Sequence, residues 1–248
     1  MHSSLTETAH RPYAVPKGRW VMEQSWHDLL FAHWPLPVSA IRAAVPEQLP
    51  LDTFDGRAWV GVVPFRVRGL RARWLPAIRG LSDFPELNVR TYVTIGGKPG
   101  VYFFSLDAAS PLAVLGARAA FHLNYFNALM SMVRGPDGIT YLSRRTDRRG
   151  QPADFSARYR PDGKGVRAQP NSLEHFLVER YCLYAVSAAA RVYRLDIHHG
   201  PWLLQPAQAQ LDADMLLAAS RIPAPADEPL LHFSPVQEMI GWLPERVR

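Results

Sequence analysis

The segment ELNVRTYVTI at 86–95 constrains this chain more than any other, because it alternates over ten residues and then turns back on itself. Leu87, Val89, Thr91, Val93 and Ile95 share one face of an extended chain, and Glu86, Asn88, Arg90, Tyr92 and Thr94 share the other. A helix has no use for period two, so the segment reads as a strand with one apolar and one polar face. Gly96-Gly97 supplies the positive φ of a two-residue turn and leads into VYFFSL at 101–106, which makes a hairpin. The pattern recurs at 51–67, where LDTF meets Asp55-Gly56 and continues as RAWVGVVPFRV. GITYLSRR, DFSARYRP, RYCLYAV and RVYRLDIHH read as further strands, and YFNALMSMV (125–133) is an apolar stretch ended by GPDG.

Helical periods are few and short. PVSAIRAAV (37–45) places Val38, Ile41 and Val45 on one face and stops at Pro46. PLAVLGARAAF follows Ser110 as N-cap, with Pro111 as first helical residue. SLEHFLVER (172–180) and PAQAQLDADMLLAA (206–219) complete the set. The expected fold is therefore α+β, a mostly antiparallel, curved or closed β-barrel with a few short helices. The Arg-, Trp- and Pro-rich loop at 68–85 is long enough to form a lid or cavity wall.

No linker or repeat divides the chain, so a flexible N-terminus (1–15) followed by one domain (16–248) is expected. No apolar run is long enough for a transmembrane helix, and the N-terminus lacks the apolar core of a secretory signal. The single cysteine, Cys182, lies in an apolar stretch and reads as a small core residue of a cytoplasmic protein. The net charge is +6, and only Lys17, Lys98 and Lys164 are lysines among 28 basic residues. Arginine forks suit carboxylates, although a solvated arginine surface explains the same bias. The densest cluster, Arg144, Arg145, Arg148 and Arg149, flanks a turn and forms no basic stripe, so neither nucleic acid nor membrane is an expected partner. A small anionic or carbonyl-containing molecule is, and homo-oligomer formation is left open.

The order of these segments resembles the acetoacetate decarboxylase-like superfamily, in particular its uncharacterised bacterial YqjF-like branch. FPELNVRTYV, GKPGVYFFSLDAAS, HLNYF at 122–126, SLEHFLVERYCLY and HHGPW carry the likeness, which spans most of the chain. It implies a barrel enclosing a mostly apolar, ligand-sized cavity. The decarboxylases use paired lysines, one lowering the other's pKa so that it attacks the substrate ketone. Their segment matches 121–126, which here reads FHLNYF and holds no lysine. Lys17 precedes the segments that carry the likeness, and Lys98 and Lys164 sit in Gly-rich turns where an amine stays hydrated and protonated. Schiff-base decarboxylation is therefore not expected. The family's acidic cavity residue aligns with Glu86.

If the even-numbered face of 86–92 lines a cavity, Glu86, Asn88, Arg90 and Tyr92 form a buried polar ladder. A carboxylate there must pair with the guanidinium or change its pKa. If that face meets solvent instead, the ladder has no such role. His122 and Tyr125 occupy the stretch of the missing lysines and could polarise a carbonyl, or be ordinary packed side chains. His33 and His199 adjoin Trp-Pro or Pro-Trp, and Trp34, Trp59 and Trp202 could form apolar walls. Nine histidines show no metal-binding spacing, and no cofactor is called for. Glu179-Arg180-Tyr181 reads as a surface ion pair at a helix end. The residues support an enzyme on a carboxylate or keto/enol metabolite, a lyase, hydratase or cyclase. Glu86, His122 and Tyr125 would be catalytic, and Asn88, Arg90, Tyr92, His33, Trp34, His199 and Trp202 would bind substrate. The same cavity could instead serve a non-catalytic binding protein.

Overall fold

The computed structural model describes residues 2–78 and 80–247. Met1 of the expected arm, Arg79 of the expected 68–85 loop and Arg248 at the chain's end lie outside the described residues. The elements run Met22–Leu36 (β1), Val38–Arg42 (α1), Ala58–Ala72 (β2), Phe84–Ile95 (β3), Lys98–Ala108 (β4), Pro111–Phe121 (α2), Tyr125–Gly135 (β5), Gly138–Arg145 (β6) and Asp154–Pro161 (β7). They continue with Val166–Arg167 (β8), Leu173–Val178 (α3), Cys182–Val186 (β9), Val192–His199 (β10), Leu203–Asp212 (β11), Asp214–Ala219 (α4), Leu230–Gly241 (β12) and Glu245–Arg246 (β13). All strands belong to one mixed 13-stranded sheet, curved and ring-like.

The pairings close twice. One ring runs β10-β12-β1-β2-β3-β4-β9 and returns to β10, with β9 parallel to β4 at Val101 and Tyr102. The other runs β12-β1-β2-β3-β4-β5-β6-β7-β11 and returns to β12. The two share β12 and β1 to β4, so each shared strand has one face in each ring. On β3 the odd-numbered Leu87, Val89 and Val93 face the larger ring and pack with Ile139, Tyr141, Phe155 and Tyr159. Each such side chain stabilises the fold by roughly 1.5–3 kcal/mol on burial. The larger ring is thus filled. The even-numbered Phe84, Glu86, Asn88 and Arg90 face the smaller ring, which is hollow.

Bulges keep the remaining strands in phase with this division. On β1 the hollow face is carried by Met22, Gln24 and Trp26, then by Leu29 and Phe31. The change of parity falls at Asp28, whose φ is +56° and where the pairing with β2 slips by a residue. The Tyr159 hydroxyl donates to the Asp28 carbonyl at 2.8 Å and pins the bulge. On β4 a second slip, opposite Val89 and Arg90, moves the hollow face from Val101 and Phe103 to Leu106. Without these devices a strand would turn its apolar set away from the ring.

Several expectations need correction. Residues 206–212, expected to be helical, belong to β11; Pro206 pairs with β12 and 207–212 pair with β7. Ala207, Ala209 and Leu211 alternate with Gln208, Gln210 and Asp212, and that period of two wins; only 214–219 are helical. LDTF at 51–54 contributes single bridges, Leu51 to Val93 and Phe54 to Arg57, although Asp55-Gly56 does make the two-residue turn with φ of +50° and +73°. Arg145, read within the arginine cluster that flanks a turn, is buried in an ion pair with Asp107 at 2.8 Å. Burial pushes the Asp107 carboxyl up to about 6 against the pull of that guanidinium. The arm at 2–15 makes specific contacts: buried Arg11 donates to the Ile197 carbonyl at 2.7 Å and stacks over Tyr181. No described helix is long and apolar enough to cross a membrane.

Candidate functional site

The hollow ring encloses a cavity of about 530 Å³. Its walls are mostly apolar, with Phe31, Val63, Phe65, Phe103, Leu106 and Leu183 among them. β3 begins just after residues 80–83, and β4 ends where α2 begins. Leu75 and Ile78, between β2 and β3, and Leu112 of α2 line the cavity yet are well exposed, so this end is its mouth.

Glu86 lies at the mouth end of β3. It is 5% exposed, and its backbone carbonyl accepts the Tyr141 hydroxyl at 2.8 Å from the filled ring. The Tyr125 hydroxyl donates to both carboxyl oxygens at 3.1 Å. Burial pushes the Glu86 carboxyl up to about 8, with the Tyr125 hydrogen bond opposing, so the group is protonated at neutral pH. Tyr125 in turn is held well above its usual range by burial, and Glu86 adds to the effect. Ser110 caps α2 through the Ala113 amide at 3.4 Å, and α2 ends in time for β5 to start at Tyr125. That timing delivers the tyrosine to Glu86.

Asn88 follows on the same face, 5% exposed, with Oδ1 unpartnered within the protein. Arg90 lies four residues beyond Glu86, about 13 Å along the strand at ~3.3 Å per residue. Its Nη2 donates to the Leu177 carbonyl at 3.1 Å, its guanidinium lies over Phe31 and Tyr92, and Nε is unpartnered. Among the described residues no carboxylate pairs with it; the ladder contains both ionisable groups but not the ion pair.

Other expected residues divide cleanly. His199 and Trp202 line the cavity. His199 is buried between the Arg180 and Gly200 carbonyls at 3.1 and 2.7 Å, and burial lowers its pKa. Trp202 stacks parallel to Trp26, with ring centres 5.9 Å apart. Tyr92 and His33 stand behind the wall and share a 2.7 Å hydrogen bond. Burial, reinforced by Arg90, keeps His33 neutral, well below its usual pKa. Trp34 packs in the filled ring. His122 is the left-handed C-cap of α2, with φ of +54°, exposed and against Tyr193 at 4.8 Å. It does not reach the cavity, because the helix end turns it outward before β5 begins.

Arg180 was not expected here. The Glu179-Arg180-Tyr181 run is buried, not a surface ion pair. Arg180 lines the inner end of the cavity, donates to Asp52 at 2.7 Å and lies over the same Tyr92 ring as Arg90. Glu179 accepts the Trp202 amide at 2.9 Å and the Tyr181 hydroxyl, which fixes that wall. Trp26, another lining residue, was missed as well. None of the three lysines lines the cavity.

The family model described as DUF2071, an uncharacterized conserved protein, matches residues 23–238. This chain belongs to the DUF2071 family. The uncharacterized protein YqjF of Bacillus subtilis (strain 168) is 49% identical over 229 residues, covering 92% of this chain and 93% of its own. Two solved structures share the fold of this DUF2071 member at low identity. The enduracididine biosynthesis enzyme MppR, complexed with pyruvate, has a TM-score of 0.62 at 10% identity, over 97% of this chain and 93% of that one. An acetoacetate decarboxylase-like enzyme from Sphingomonas wittichii RW1 has a TM-score of 0.61 at 11% identity, over 97% and 100%. The fold expected from the sequence is therefore the one these solved structures share.

Proposed function

We propose that this DUF2071 protein is an enzyme that moves a proton next to the carbonyl of a carboxylate metabolite, with Glu86 as the acid/base group and no Schiff base. The observation that carries the reading is Glu86 itself: a carboxyl buried in a ligand-sized cavity, held by Tyr125 and not neutralised by Arg90. A protonated carboxyl can serve both halves of a tautomerisation. Its hydroxyl gives a proton to the substrate carbonyl oxygen while its other oxygen takes the proton from the adjacent carbon. The products are an enol and a Glu86 carboxyl protonated on its other oxygen, so atoms and charge balance. Tyr125 donates to whichever oxygen is unprotonated. Arg90 anchors the substrate carboxylate. Enolisation of this kind is the shared step of the hydratase, cyclase and lyase chemistries open to such a site. The fold neighbours are enzymes, and one MppR structure is a complex with pyruvate, which supports a carbonyl-containing ligand by analogy of fold alone.

A binding protein is the competing reading, favoured by the apolar walls. It gives Glu86 no task, and a buried acid that is merely structural would be expected in an ion pair. Proton exchange separates the two. Oxo carboxylates of increasing chain length are incubated in deuterium oxide, and deuterium entry beside the carbonyl is followed by NMR. Wild type should accelerate exchange on at least one of them, and Glu86→Gln should lose at least about tenfold of that rate, equivalent to about 1.4 kcal/mol. Exchange at the buffer rate throughout, or full exchange by the variant, contradicts the proposal.

A further inference from the structure

The two ionisable ends of the cavity lie too far apart for the smallest oxo acids. Glu86 is at the mouth and Arg90 about 13 Å further along the strand, with its guanidinium turned away toward Tyr92 and Leu177. Arg180 adds a second guanidinium at the inner end, but Asp52 pairs with it. Among the described residues no carboxylate lies within ion-pair distance of Arg90, so its guanidinium has no direct counter-ion at the inner end. A guanidinium facing an apolar, partly dehydrated space calls for an anion there.

Between the two ends the walls are hydrocarbon. Phe31, Val63, Phe65, Phe103 and Leu106 face the space, and Asn88 is the one polar side chain of β3 between Glu86 and Arg90. Beyond Glu86 the apolar character continues onto the surface. Leu75, Ile78 and Leu112 are 60%, 56% and 59% exposed, an unusual concentration at the rim of a site for a small hydrophilic acid. The volume, about 530 Å³, falls in the range of cavities that bury ligands much larger than a three-carbon acid.

We infer that the ligand is a chain carboxylate. Its anion sits on Arg90 at the closed end, its apolar chain runs past Asn88, and the carbon acted on lies opposite Glu86 and Tyr125, separated from the carboxylate by an apolar spacer. Any further tail leaves between Leu75 and Ile78 on one side and Leu112 of α2 on the other. This assignment rests on the proposed site, and it names the substrate class: oxo derivatives of medium-chain aliphatic or aryl-alkyl acids rather than acids with adjacent carboxylate and carbonyl.

Binding tests it without turnover. Octanoate, dodecanoate, butyrate and octanol are titrated into the full-length protein by calorimetry. Octanoate should bind at least about tenfold more tightly than butyrate, which cannot span the cavity, and than octanol, which lacks the anion. Arg90→Met should abolish the preference for octanoate over octanol. Leu112→Glu, at an exposed position on the rim, should weaken dodecanoate, whose longer tail reaches the mouth, while leaving butyrate unchanged. Equal affinity for octanoate and butyrate, or for octanoate and octanol, overturns the inference, as does a Leu112→Glu variant with unaltered dodecanoate binding. The outcomes remain distinct from those of the exchange experiment. Tight octanoate binding without deuterium exchange on any oxo acid refutes the enzyme and keeps the ligand class; exchange confined to short acids does the reverse.

Discussion

At the scale of single residues, Glu86 decides what the site can do, and its environment has a measurable consequence for stability. The folded protein holds this carboxyl at about 8, against 4.5 for the unperturbed group, so between these values the native state binds a proton that the unfolded chain does not. The stability associated with the protonated form is fully present below about pH 4.5 and is lost as pH rises through about 8, at roughly 1.4 kcal/mol per pH unit and roughly 5 kcal/mol at most. Glutamine keeps the shape and has no proton to lose. Glu86→Gln should therefore gain stability relative to wild type as pH rises from about 5 to about 8, read from urea midpoints. A constant difference across that interval would mean that Glu86 ionises normally. The type and alternation of Glu86, Asn88 and Arg90 were legible in the sequence, as was the candidacy of Tyr125. His122 was not separable from Tyr125 there, because only the helix end sends one to the surface and the next strand carries the other inward. Arg180 was hidden for a similar reason: nothing local distinguishes a buried arginine stacked on Tyr92 and Phe176 from an exposed one.

At the scale of elements, the site depends on strands whose alternation is interrupted at chosen places. The turn signals Asp55-Gly56 and Gly96-Gly97 mark their hairpins, and β3 keeps one phase throughout. The bulges at Asp28 and in β4 carry no comparable signal, since a single extra residue leaves the surrounding alternation intact on both sides. Residues 206–212 mislead for another reason. Alanine, glutamine and leucine favour helices intrinsically, and the hydrogen bonds to β7 that override this preference are non-local. Close approach between strands is tested at Gly61, which pairs with both His33 and Arg90. A Cβ there would lie 2.8 Å from His33 Cδ2 and 3.3 Å from Arg90 Cγ. Gly61→Ala should cost about 1–3 kcal/mol in urea unfolding and displace Arg90. A variant as stable as wild type would mean that β1, β2 and β3 are less tightly apposed at this point.

At the scale of the molecule, one sheet closes into two rings that do different work. The larger is packed with side chains and supplies the core; through Tyr141 and Tyr159 it also fixes the backbone at Glu86 and at the β1 bulge. The smaller is left hollow and lined by the opposite faces of the same strands. The sheet-rich fold and the family were legible from the order of segments. The double closure was not, because it rests on two parallel contacts of β4, with β5 and with β9, between residues far apart in the chain. The account stands on the hollow ring holding a carboxyl that ionises far from its usual range. Carbon-13 NMR of the protein labelled in its glutamate carboxyl groups measures this directly. One glutamate signal should titrate near pH 8, and that signal should be missing from Glu86→Gln. If every glutamate titrates in the ordinary range near pH 4, or if the titration near pH 8 persists in the variant, Glu86 is not the proton-carrying group of this site.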